Sequence, residues 1–123
     1  MKLFDGTLTA LERSLDVRLE KQNLLASNAA NLDTPGYQAR ELDFDAAMQS
    51  VLAPGGDAPG AVETAVRAAT HAVEGTAGLD GNGVDLDRTM VELAENGLQY
   101  GAAAKAAGKK LAILKYVAND GNG

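Results

Sequence analysis

Apolar residues recur at steps of three and four from Leu8 to Leu32, through Leu11, Leu15, Leu25 and Ala29, with Leu19 and Ala26 widening the same face. Two polar residues, Arg18 and Gln22, interrupt this stripe, either as partly exposed positions of an imperfect coil or as register-setting contacts. The spacing predicts a helix from about Asp5 to Asn31, roughly 40 Å long at 1.5 Å per residue. Its stop is written in Asp33-Thr34-Pro35-Gly36-Tyr37, because Pro35 lacks a donor and disfavours helical geometry at Thr34, while Pro-Gly suits the centre of a type II turn.

A second stripe starts after Leu86 and reads Met90, Leu93, Gly97, Tyr100, Ala104, Ala107, Leu111, Leu114 and Ala118, again alternating steps of four and three. Asp85 is placed to cap this helix and Asp87 to favour its first turn. It would run roughly 50 Å and end in the polar, glycine-rich tail 119–123. Between the two stripes, residues 37–43 have no helical period, and Phe44, Ala47, Met48, Val51 and Leu52 predict a short helix after Asp43. Residues 53–60 read as a flexible loop, and 61–79 leave weak strand, weak helix and extended arm all open.

The expected fold class is all-α: two long terminal helices forming an antiparallel coiled-coil hairpin, with an irregular, loop-rich middle segment. Residues 1–36 with 84–123 make up the terminal-helix unit, and 37–83 the middle. Charge supports the antiparallel sense. Asp5, Glu12 and Asp16 would face Lys105, Lys109, Lys110 and Lys115, while Arg13, Arg18 and Lys21 would approach Glu92 and Glu95.

Composition changes this picture in one respect. The 123 residues are 46% hydrophobic but only 4% aromatic, so small side chains supply most of the apolar surface and a large self-sufficient core is not expected. Ala94, Gly97, Gly101, Ala104 and Gly108 form a small-residue stripe on the second helix. Each interior glycine costs about 1 kcal/mol of helix propensity, which makes sense where backbones approach closely; the alternative is that the glycines are simply tolerated on an exposed helix. A hairpin with such stripes needs other chains to cover them.

Charge and missing chemistry exclude several function classes. A formal net charge of -6 and a pI near 4.6 repel phosphate backbones and anionic lipid heads, so neither nucleic-acid binding nor direct membrane insertion is expected. Zero cysteines remove thiolate chemistry. The N-terminal residues do not read as a cleaved secretory signal, and charge interrupts every candidate membrane span. His71 is the single histidine and has no second ligand or nucleophile at a telling spacing; Glu12, Asp16 and Glu20 make a solvated helix stripe. The loop Asp80-Gly81-Asn82-Gly83-Val84-Asp85 lacks Gly at the sixth position of a calcium loop and Glu at the twelfth, where Val91 stands. No catalytic residue, metal or cofactor is expected.

The segment from Leu25 through Asn28, Asn31, Thr34, Pro35, Gly36 and Tyr37 closely resembles the signature that ends the N-terminal helix of flagellar rod and hook proteins. Leu79 to Asp87, followed by Met90, Leu93, Ala94, Glu95, Asn96 and Tyr100, looks like the C-terminal signature of the same family. The resemblance implies a non-enzymatic axial subunit of the proximal rod of the flagellar basal body, in the periplasm, whose terminal helices form an inner rod layer. It also implies export by the flagellar type III apparatus without a cleaved signal. The implied partners are other copies of the chain and other flagellar rod and export-gate-proximal basal body proteins. Asn28, Asn31, Thr34, Pro35, Gly36 and Tyr37 would set the turn. Leu8, Leu11, Leu15, Leu25, Met90, Leu93, Gly97, Tyr100, Gly101, Ala104, Gly108, Leu111 and Leu114 would form the assembly seam. A closed helical dimer or an adaptor using the same seam on one partner is the alternative.

Overall fold

The computed structural model describes residues 6–73 and 85–121. The chain is mostly helical. Helix α1 spans Gly6–Ala30, strand β1 Arg40–Leu42, helix α2 Phe44–Leu52, helix α3 Ala61–Ala69, strand β2 Thr70–Ala72 and helix α4 Leu86–Asp120. Local chemistry starts two of the helices. Asp43 accepts from the Ala46 backbone N–H at 3.0 Å to cap α2, and Asp85 accepts from that of Arg88 at 3.1 Å to cap α4.

Helices α1 and α4 lie side by side. Leu25 and Asn28 share a cleft with Arg88, Thr89 and Glu92, while Arg18 bonds to Gln99 farther along. Residue numbers therefore rise along one helix as they fall along the other, and the two are antiparallel. Carried along by that register, Leu8 falls level with the region of Ala107; both are buried.

The face that α4 turns to α1 is rotated from the stripe expected from its spacing. Thr89, Asn96 and Ala107 are buried and Ala103, Lys110 and Leu114 half-buried; of the expected stripe, Leu93 and Ala104 are half-buried too, whereas Met90, Gly97, Tyr100 and Leu111 are exposed. The two stripes share Ala107 and Leu114 and differ by one residue at alternate positions, a turn of about 50° at 100° per residue.

The middle of the chain corrects the expectation of an irregular, purely helical protein. Residues 61–69 are helix α3, and β1 pairs antiparallel with β2, Glu41 opposite His71. Backbone bonds from Asp43 N–H to the Ala69 carbonyl (3.0 Å) and from Val73 N–H to that of Ala39 (2.9 Å) extend the pairing on either side. Residues 53–60 form successive turns rather than an open loop. Gly55 and Gly60 take φ of +89° and +78°, and any Cβ on buried Gly56 would overlap the Val51 carbonyl.

One apolar cluster holds this region to α1. Val17 of α1, Leu42 of β1, Ala47 and Val51 of α2 and Ala65 of α3 are buried together, with Leu24, Phe44, Met48, Val62, Val66 and Ala69 against them. The alanines matter here. Ala47 and Ala65 add little area of their own but let two short helices close on Val17, which has no exposed surface.

Candidate interaction surface

The end of α1 is tied to β1 through one side chain. Buried Asn28 donates from Nδ2 to the Arg40 carbonyl at 2.8 Å and accepts at Oδ1 from the Arg40 backbone N–H at 3.2 Å. Its amide thus takes the place of a neighbouring strand's peptide group, satisfying both backbone groups of Arg40. The Tyr37 hydroxyl donates to the same Oδ1 at 3.0 Å.

Asn31 and Thr34 finish the helix. Asn31 Nδ2 donates to the Ser27 carbonyl at 2.8 Å, and its Oδ1 accepts from the Thr34 hydroxyl at 3.1 Å. The Tyr37 N–H then bonds back to the Thr34 carbonyl at 3.2 Å, with Pro35 second in the turn and Gly36 third at φ +75°. That is type II geometry, and the positive φ suits a residue without Cβ. The turn aims the chain from the end of α1 into β1.

A polar layer crosses the α1–α4 contact at its middle. Asn96, 1% exposed, donates from Nδ2 to the Arg18 carbonyl (2.9 Å) and to Gln22 Oε1 (2.7 Å). Arg18 Nη1 donates to Gln99 Oε1 at 2.6 Å, and its guanidinium lies 4.1 Å from the centroid of the Phe44 ring. Burial pulls the Arg18 pKa below its ordinary value, against the raising effect of Glu95. Arg18 Nε and Asn96 Oδ1 are buried without a hydrogen-bond partner among the described residues. Arg18 thus joins α1, α4 and α2 at one point. The sequence marked Arg18 and Gln22 as interruptions; Asn96 it placed only within a motif. The signal for Asn96 was its seven-residue spacing from Thr89 and Ala103, overshadowed by the greasier residues beside it.

At the other end of the contact, Arg88 donates to Glu92 at 2.8 Å and to Glu41 at 3.1 Å, joining α4 to β1. Glu92 is thereby engaged on its own helix. The hydrogen bond that Arg88 donates to Glu92 and the charge of Glu41 raise the Arg88 pKa. The Arg88–Glu92 spacing of four was legible in advance, but the partner Glu41 lies 47 residues away.

The residues expected to form an assembly seam divide into two sets. Leu8 and Leu25 are buried, and Leu11, Leu15, Leu93, Gly101, Ala104 and Leu114 half-buried. Met90, Gly97, Tyr100, Gly108 and Leu111 stand exposed on α4. A Cβ built at Gly97, Gly101 or Gly108 meets nothing within 4 Å, so among the described residues no backbone approaches these glycines closely. Leu98 (77%), Ile113 (63%) and Tyr116 (68%) extend the apolar surface toward the C-terminal end.

Exposed His71 stands on β2. Among the described residues, no three His, Asp or Glu side chains gather as a metal site, and no helix is long and apolar enough to cross a membrane. Asp5, the 80–83 loop weighed for calcium and the Leu79–Val84 part of the second motif lie outside the described residues.

No protein-family model matches the chain. Curated relatives do. It is 32% identical to the flagellar basal body rod protein FlgB of Escherichia coli and 34% identical to that of Salmonella typhimurium, each alignment covering 96% of both chains. To the Bacillus subtilis protein of the same name it is 31% identical, over 98% of this chain and 99% of the relative. With identities above 30% over 96–98% of its length, the chain belongs to the FlgB family of flagellar basal body rod proteins: a structural subunit, not an enzyme.

Proposed function

We propose that α1 and α4 form an antiparallel coiled-coil hairpin that packs in the inner layer of a helical rod, while the middle segment contacts neighbours farther out. The observation that carries this is the outward flank of α4, where Met90, Tyr100 and Leu111 stand exposed beside glycine backbones open to close approach. Monomers do not usually leave such a stripe in water. Repeated heterologous contacts through it, without closure, generate a stiff filament that transmits torque. The partners are other copies of the chain and neighbouring rod and export-gate-proximal basal body proteins, met in the periplasm after type III export without a cleaved signal. Thr34, Pro35, Gly36 and Tyr37, with Asn28 and Asn31, orient the middle segment relative to the hairpin. The closed dimer or one-partner adaptor is not favoured, since the relatives are rod proteins.

Gly101→Leu tests the reading, because a bulky side chain there would hold adjacent backbones apart. The variant should retain its helical content and fail to enter basal bodies, scored by immunoblot of purified basal bodies and by swimming. Normal rods with Gly101→Leu would refute it.

A further inference from the structure

Helix α4 offers α1 two overlapping stripes: Leu93, Ala104, Ala107 and Leu114 of the expected apolar stripe are buried or half-buried, but the rest of it is displaced outward by more polar positions. Thr89, Asn96, Ala103 and Lys110 turn inward, while Met90, Gly97, Tyr100 and Leu111 turn out. Burial of apolar area alone would rotate α4 by about 50° and bring Met90, Tyr100 and Leu111 against α1. Something opposes that rotation.

We propose that Asn96, gripped by the Arg18 carbonyl and the Gln22 side chain, is a rotational selector that holds α4 with the Met90, Tyr100 and Leu111 edge of its apolar stripe facing outward. The amide has two donors and both are used by α1, at 2.9 Å and 2.7 Å. Turning α4 to the apolar stripe would pull Asn96 off both acceptors and leave the Arg18 carbonyl and Gln22 Oε1 without that donor. Gln99 adds a second hold, since it accepts from Arg18 at 2.6 Å, and the Phe44 ring lies 4.1 Å from the same guanidinium. Buried polar groups of this kind choose among packings that apolar contacts leave nearly equal, and do so at some cost in stability. The selector concerns packing within one chain; only the use of the freed stripe rests on the rod reading above.

The chain contains no cysteine, so single thiols report the rotation cleanly. Thr89→Cys and Met90→Cys are placed separately in the full-length chain and labelled with maleimide, with circular dichroism read in parallel. Thr89 is 7% exposed and Met90 54%, so the thiol at 90 should react about tenfold faster. Adding Asn96→Leu should abolish or invert that order. Gln22→Leu, which removes a single acceptor from a half-buried site, should narrow it by about threefold and carries the test if Asn96→Leu does not fold. An order unchanged by the folded variants, or equal rates at both thiols in the parent chain, overturns the selector. Swimming scored on the cysteine-free Asn96→Leu chain separates the two proposals. Shifted labelling with normal rods keeps the selector and removes the role given to the stripe; unshifted labelling with lost rods does the reverse.

Discussion

The middle segment and the C-terminal half of α4 contain similar proportions of small apolar residues and meet opposite fates. In the first, Leu42, Ala47, Val51 and Ala65 close on Val17, all at 5% exposure or less. In the second, Leu111, Ile113 and Tyr116 stand 46–68% exposed on a single helix. The difference is one of connection rather than composition. Short elements joined by tight turns bring three faces together around one point, whereas a long straight helix shows most of its surface to whatever lies beside it. A protein built this way satisfies one region within the chain and leaves the other for neighbours.

Four substitutions would break or sharpen this contrast, each read by urea unfolding of the isolated chain. Val17→Asp should have the largest effect, more than about 3 kcal/mol, because it buries an unpaired carboxylate among apolar side chains. A smaller loss would mean that the middle cluster does not hold the fold. Asn28→Leu should cost about 2 kcal/mol, as both Arg40 backbone groups and the Tyr37 hydroxyl lose a partner. Hydrogen exchange should then show the Arg40 amide released while those in the middle of α4 keep their protection.

Gly36→Ala comes next, at about 1 kcal/mol for placing a Cβ at φ +75°. Ile113→Asp should change the stability of the isolated chain by less than about 0.5 kcal/mol and yet abolish swimming. If it instead destabilised the isolated chain as much as the core variants do, that surface would be packed within the chain and the contrast would fail.

Much of this arrangement was legible beforehand where it depends on neighbours in sequence. The caps Asp43 and Asp85, the type II turn at Pro35-Gly36 and the three-four spacing of the long helices are local properties, set by hydrogen bonds and sterics within a few residues. The small sheet was not legible. Arg40-Glu41-Leu42 and Thr70-His71-Ala72 are too short to show a period, and they become strands because Asn28 and the ends of α2 and α3 hold them together. Helix α3 was equally hidden, since its alanine-rich stretch takes its direction from Ala65 against Val17 rather than from propensity.

The deepest limit concerns α4. Its sequence determined that it would be a long helix with an apolar stripe of given period, because backbone hydrogen bonding and side-chain spacing are one-dimensional facts. Which side of that helix would face inward was decided only by the tertiary structure, through hydrogen bonds from Asn96 to residues 74 and 78 positions away. Periodicity measures how apolar a face is; it carries no information about a distant carbonyl that can be satisfied from only one direction.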